Sequence, residues 1–524
     1  MKRSTGAVGL HDPKAEHDAC GFGLIANLER KPSRWLVTTA LTALTRMAHR
    51  GSVAADGRTG DGCGVLIHRP DGFLKTLARE AGFAAPEHLA AGIVYLPRDA
   101  QAAAAARNVL DEELARAGVA RLGWRVVPLD TSAAGETALS NMPRIEQVFV
   151  APGPDSKLDD SKDERAYAVA LFLARRRAEQ RLADVHDFYV VSLAPWTLGY
   201  KAMVIPGALP SFYLDLARPE LESAAVVFHQ RFSTNTAPSW ARAQPFRLLA
   251  HNGEINTIEG NRRWAKARAA AWRTDAFDLA ELDPPIAMEG SDSQSLDNML
   301  ELLVMGGMDV LHAMRILVPP ATGLLEHRDP DLAAFYEYYA LNIDLWDGPA
   351  GIVLCDDRYA ACTLDRNGLR PARWVQTSDG HFTVASEVGV WDYQPEQIVA
   401  KGRLGAGEML AIDLVEGRRL DSTAIDALNK ARAPFKKWLK DGIQYLHSDL
   451  IDPALAAEPF DPPTLARFQK LFALSREERE QVLRVLAETE QEATGSMGDD
   501  TPMAVLSQRP RALYDHFRQA FAQV

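Results

Sequence analysis

Residues 16–23 read Glu-His-Asp-Ala-Cys-Gly-Phe-Gly, and the fold turns on how Cys20 in that stretch is read. Nineteen residues precede it without an evident structural purpose, and an apolar, glycine-spaced run, "CGFGLIANL", follows. A thiol attacks a carbonyl only as thiolate, and a reference pKa near 8.5 leaves little thiolate at neutral pH. Cleavage between Ala19 and Cys20 would free an α-amino group of pKa about 7.7–8.0 on the same residue, a base within reach of the sulfur. Small Ala19 and permissive Gly21 suit such a cleavage site. We therefore expect residues 1–19 to be a propeptide and Cys20 to become the first residue. Position alone fits a buried structural cysteine as well, because free cysteines are commonly buried and inert.

Composition sets the frame around that stretch. With 524 residues, 47% hydrophobic and 24% charged, the chain can bury a large core and reads as globular. A formal net charge of −12 argues against a nucleic-acid or anionic-membrane surface. No apolar run approaches the roughly 20 residues that span a bilayer, and the basic start lacks a secretory apolar region. A cytoplasmic location is expected. Cys20, Cys63, Cys355 and Cys362 show no metal-ligand spacing, so no metal is expected, and the last three are expected to be packing residues.

Strand-like runs rich in Val, Ile, Phe and Tyr recur to about residue 415, among them "GVLIHRP", "AGIVYLP", "AAVVFHQRF" and "GIVLCD". Helical patterns lie between them, as in "RWLVTTALTALTRMAHR" and "SQSLDNMLELLVMGG", and "DAQAAAAARNVLDEELARAG" reads as an exposed helix. Short turns between several strands favour antiparallel pairing. An α+β protein of packed sheets with helices outside is the expectation. From Asp421 onward the pattern is helical and charged, so a boundary is placed at 420/421, and the amphipathic ending "YDHFRQAFAQV" lacks a stop signal, as though more chain followed.

Three segments carry further chemistry. In "FHQRFSTNT" (228–236), Arg231 ends an apolar strand; a surface ion pair is the plain explanation, but a guanidinium fork is also the best grip on a carboxylate. In "LLAHNGEINT" (248–257), Asn252-Gly253 is a strong turn signal, yet the glycine N–H and the asparagine amide are also the two donors of an oxyanion hole. In "EGSDSQSLDN" (289–298), Ser291 or Asp292 reads as a helix N-cap, and a carboxylate there can receive an ammonium group. "DRNGLRP" (365–371) reads as a hairpin turn with Asn367-Gly368 at its tip, and "GDG" (60–62) as a loop.

In order along the chain, "CGFG", "AHRGSVAADGRTGDGCG", "HQRFSTNT", "HNGEINT", "GSDSQSLDN", "WDGPAG", "LDRNGLRPAR" and "KGRLGAGEM" resemble the amidotransferase region of the glutamate synthase large subunit. That region is a class II glutamine amidotransferase. The resemblance implies an N-terminal-nucleophile (Ntn) hydrolase, a four-layer αββα sandwich, over residues 20–420. A helical segment, 421–524, would follow it, and there "GSMGDDTPMAVLSQRP" resembles the start of the central domain. It implies Cys20 as nucleophile on L-glutamine with its own amine as base and acid. Asn252 and Gly253 would line the oxyanion hole, Arg231 would hold the substrate α-carboxylate and Asp292 the α-ammonium. Arg50 and Gly51 would shape the pocket near the cysteine or simply pack there.

Two segments, "LVPPATG" and "LAPWTLGYK", depart from the family pattern. A complete glutamate synthase large subunit is much longer, and its flavin (FMN) barrel and iron–sulfur cysteines have no counterpart here. No cofactor is expected in this chain. Expected partners are the rest of a glutamate synthase and its small subunit, to which ammonia would pass for reaction with 2-oxoglutarate. Two other readings stand beside this one: a non-catalytic remnant that binds glutamine or a partner, and a glutaminase serving another synthase.

Overall fold

The computed structural model describes residues 20–154, 156, 158, 164–231, 237–323, 325–443, 460–493 and 508. The expected propeptide, the FSTNT part of the second motif and almost all of the GSMGDDTPMAVLSQRP segment lie outside them.

Strands, in chain order, are β1 (Gly21–Asn27), β2 (Thr59–His68), β3 (Ala90–Leu96), β4 (Val119–Val126), β5 (Arg144–Pro152), β6 (Tyr189–Ala194), β7 (Thr197–Val204) and β8 (Ala225–Gln230). They continue with β9 (Leu249–Gly253), β10 (Ala350–Cys355), β11 (Tyr359–Leu364), β12 (Arg373–Thr377), β13 (His381–Ala385), β14 (Ile398–Arg403), β15 (Met409–Asp413) and β16 (Arg418–Leu420). One seven-stranded sheet has the order β14-β12-β13-β1-β8-β2-β7, and a five-stranded sheet the order β16-β15-β11-β10-β9. Pairing is antiparallel throughout both, as the short connections predict.

Side-chain alternation in β1 explains the layering. Phe22, Leu24 and Ala26 face Val353, Cys362, Leu364 and Ile412 of the five-stranded sheet and form the inter-sheet core. Ile25 points the other way, into a core shared with Leu36, Ala40 and Leu44 of the helix Arg34–Arg46. A strand buried on both faces needs apolar residues at successive positions, which is why this run does not alternate with polar residues. The helices Val310–Leu317 and Ser422–Lys430 pack on β11 and β15 of the second sheet. Helix, sheet, sheet, helix is the expected four-layer order.

An arm not foreseen as a separate sheet stands on this frame. Residues 90–194 contribute β4-β5-β3-β6, four antiparallel strands. Ile93, Tyr95 and Phe149 of that sheet join the core beneath the helix Arg34–Arg46, while Val94, Val148 and Val150 face the helices Ala100–Arg116 and Glu164–Arg181. The alanine-rich helix is therefore not simply exposed: Ala103, Ala106, Leu110 and Leu114 are buried, because small residues let it lie close on the strands.

The compact unit does not stop at residue 420 but runs to Leu439. Ile425, Phe435 and Leu439 are buried, and Phe435 meets Phe335 edge-on at 5.4 Å between ring centres. A charged helix still spends its apolar stripe on the sandwich. Residues 440–521 form the second unit. Among its described residues are the helix Pro462–Leu471, capped by Asp461, and the helical run Glu478–Thr489.

Two turn expectations fail. Asp365–Pro371 joins β11 to β12, strands of different sheets, so it is a crossover turn and not a hairpin. Gly60-Asp61-Gly62 lies within β2, in the irregular stretch of its pairing with β7, where Gly62 takes φ 121° against Ala243.

Candidate active site

Cys20 precedes β1 directly, so the central strand of the larger sheet delivers it to the sheet's end. Its backbone carbonyl accepts a 2.7 Å hydrogen bond from Asn252 Nδ2, which comes from β9 of the opposite sheet. Asn252-Gly253 is thus not a turn tip. Both residues belong to β9 and pair with Gly351 and Ala350 of β10. Gly253 has φ 146°, and a Cβ there would fall on the carbonyl oxygen of Pro349. Only glycine permits this approach.

Arg231 follows β8, the neighbour of β1, and its N–H donates to Gly62 O at 2.9 Å. It is 6% exposed, so it is a buried side chain and not a surface one. Burial lowers its pKa, while the charges of Cys20, Asp61 and Asp292 push it back up and Arg242 lowers it further. The cation therefore sits within electrostatic range of both the thiol and the carboxylate singled out in the sequence.

Ser291, not Asp292, caps the helix Asp292–Met305: its Oγ accepts from Gln294 N at 3.2 Å. Asp292 is the first helical residue. Its Oδ2 accepts from Ile255 N at 2.8 Å, its Oδ1 accepts from Ser293 Oγ at 3.2 Å, and its side chain keeps 20% exposure. A partly open carboxylate near a buried arginine offers opposite ends of a site to a zwitterion. Arg50 is half-buried and grips Glu387 through Nε and Nη2, both at 3.2 Å. Its Cβ, with Met47, bounds the space beside Gly21, and a Cβ at Gly51 would strike the Gln230 amide. The structure thus gathers Cys20, Arg50, Gly51, Arg231, Asn252, Gly253 and Asp292 about the ends of β1, β8 and β9.

Several residues that position this site escaped sequence reasoning. Asp297 lies in a quoted motif without a role; buried, it accepts from Leu248 and Leu249 N through Oδ1 and from Arg247 N through Oδ2. Burial, then Glu301, raises its pKa to about 6 against the opposing pull of Arg247. It fixes the entry to β9. An acid on the helix stripe that continues through Leu300 and Val304 was the available signal. Gln244 holds His251 from both sides, with Oε1 on its N–H at 2.8 Å and Nε2 on its carbonyl at 3.2 Å, and the His251 ring meets Ser293 Oγ at 2.8 Å.

His229, on β8, contacts the His251 carbonyl at 3.2 Å, and burial depresses its pKa to about 3. Its unfolded value is near 6.5, so the unfolded chain binds the extra proton between those values and stability falls as pH drops through that window. Exchange of His229 for asparagine should remove about 2 kcal/mol from the stability lost between pH 7 and pH 5. Paired urea titrations of wild type and H229N at both pH values check this.

The remaining thiols have other places. Cys63, Cys355 and Cys362 are buried and burial raises the pKa of each. They do not fit a cluster site, and among the described residues no three His, Cys, Asp or Glu side chains converge to hold a metal ion. Nor, among those residues, is any helix long and apolar enough to cross a membrane.

Residues 20–438 match the family model of glutamine amidotransferases class-II. The chain belongs to that family. Residues 467–524 of the amidotransferase match the glutamate synthase central domain. It is 39% identical over 527 residues to the glutamate synthase [NADPH] large chain of Azospirillum brasilense, covering 99% of this chain and 34% of that one. It is 40% identical over 518 residues to ferredoxin-dependent glutamate synthase 2 of Synechocystis, covering 97% and 32%. Against ferredoxin-dependent glutamate synthase 1 of Arabidopsis thaliana it is 38% identical over 530 residues, covering 99% and 32%. The chain spans about a third of the length of these curated relatives. Among solved structures, the glutamine PRPP amidotransferase of B. subtilis aligns at 15% identity and a TM-score of 0.27, covering 43% of this chain and 40% of that one. A class-II domain protein from Silicibacter pomeroyi aligns at 15% identity and a TM-score of 0.23, covering 43% and 84%.

Proposed function

We propose that the chain is the glutaminase part of a glutamate synthase and that Cys20, freed of residues 1–19, is its nucleophile. The observation that carries the reading is the Asn252–Cys20 bond, which brings a candidate oxyanion donor from one sheet to the candidate nucleophile on the other. The Cys20 α-amine takes the thiol proton, and the sulfur adds to the side-chain carbonyl carbon of L-glutamine. The resulting oxyanion lies against Asn252 Nδ2 and Gly253 N–H. As it collapses, the C–N bond breaks and the amine returns its proton to the leaving ammonia. Water then attacks the γ-glutamyl thioester, losing a proton to the same amine, and the C–S bond breaks to release glutamate and the thiol.

Arg231 would take the substrate α-carboxylate and Asp292 its α-ammonium, with Arg50 and Gly51 closing the wall behind Cys20. Ammonia would pass to a synthase region outside this chain, where flavin and iron–sulfur chemistry and any small subunit belong, for reductive transfer to 2-oxoglutarate. Intact-mass measurement and ammonia release from glutamine test the reading together. Mature chain beginning at Cys20 should be active, and an active chain retaining residues 1–19 refutes it. Arg231→Lys keeps the charge and loses the fork, so KM for glutamine should rise on the order of ten- to a hundred-fold with a smaller change in kcat. Steady-state kinetics with an unchanged KM would remove Arg231 from the substrate contact.

A further inference from the structure

A second basic recess lies on the turn that joins the two sheets. Leu369, Arg370, Arg373, Arg403 and Gly405 are among the residues lining an open cleft of about 350 Å³. Arg373 of β12 and Arg403 of β14 are exposed and stand directly opposite each other in the sheet. Like charges in that register repel. Neither side chain donates a hydrogen bond or forms an ion pair with a described residue, although the chain carries 70 acidic and 58 basic side chains. Neighbouring arginines behave differently: Arg366 pairs with Asp347 at 2.7 Å and Arg358 with Asp413 at 2.7 Å.

Arg370 supplies the second observation. It is only partly exposed, and its Nε is buried without a hydrogen-bond acceptor among the described residues. A buried guanidinium N–H left unmatched costs stability, so a protein keeps one where an acceptor arrives from elsewhere. The nearby carboxylate, Glu408, is already held by the Gly405 N–H at 2.7 Å. Three arginines and no carboxylate line this recess, the pattern that recognises an anion bearing two charges. The volume is at the small end for ligand pockets, which fits a small molecule.

We propose that this cleft binds a small dianion, a phosphate monoester or a dicarboxylate, through Arg370, Arg373 and Arg403. The cleft adjoins the strand end that carries Asn252 and Gly253: a Cβ at Gly351, the partner of Asn252, would lie 3.2 Å from Arg370 Cβ. Asp365, at the start of the same turn, accepts from Ala350 N at 2.9 Å and donates its own N–H to Ala350 O at 2.9 Å, and Ala350 is the strand partner of Gly253.

Calorimetric titration of the full chain with inorganic phosphate and, separately, with succinate tests the assignment. Saturable binding that weakens as sodium chloride is raised is expected for at least one probe, and which one binds distinguishes the two ligand classes. The double variant R373A/R403A should bind at least ten-fold more weakly with an unchanged melting midpoint. R370Q should lose affinity by the same readout and stands in if the double variant fails to fold. Absence of saturable binding of either probe, or equal binding by the folded variants, overturns the proposal.

Discussion

Alanine at position 20 should lower ammonia release from glutamine by on the order of 10⁴-fold or more, because no other group in the site can form the thioester. The same change should leave the melting midpoint almost unmoved. Cys20 is only partly buried and precedes the first strand, so losing its sulfur opens no core cavity. The chain supplies its own control for the chemistry. Cys63 sits in one core and Cys355 and Cys362 in the other, and burial holds all three thiols protonated. A glutamine analogue with an electrophile at the γ position should therefore label wild type once, at Cys20, and the alanine variant not at all. Persistent turnover in that variant, or label on another cysteine, would remove Cys20 from the mechanism. A mature variant with an acetylated Cys20 nitrogen should be similarly inactive while keeping its thiol, which separates the base from the nucleophile.

Much of this was legible because strand chemistry is local. The run after Cys20 had to be a doubly buried strand, since apolar residues and glycines follow one another without a polar face. Asn252-Gly253 shows where local reading fails. The dipeptide has turn propensity, but the pairing of Gly253 with Ala350, about a hundred residues away, overrides it. Asp365 was equally hidden: its role depends on Ala350 lying across from it. The four-stranded arm was visible as strands but not as a separate sheet, because strand propensity carries no information on partners. Asp297 could have been found from its place on the helix stripe that continues through Leu300 and Val304. That it binds the amides of residues 247–249 could not, because those amides arrive from another part of the chain.

Asn252→Ala should reduce kcat on the order of 10²- to 10³-fold, about 3–4 kcal/mol in the barrier, with little change in KM. One hydrogen of its amide already goes to the Cys20 carbonyl, leaving the other for a developing oxyanion. Asn252 is 2% exposed, and its Oδ1 has no hydrogen-bond partner among the described residues, so the amide is held with its donors toward Cys20 at some cost in stability. Two roles are therefore mixed in one side chain: anchoring the nucleophile's backbone and stabilising charge. The alkylation rate of Cys20 by iodoacetamide separates them, because displacement of iodide creates no oxyanion on a carbonyl. If Asn252 stabilises the transition state, alkylation in the variant stays near the wild-type rate while turnover collapses. A parallel fall in both would leave it only the anchoring role. Gly253→Ala gives the complementary result: with φ at 146° and the Pro349 carbonyl in the way, the strand end must move, so both rates and the melting midpoint should fall together.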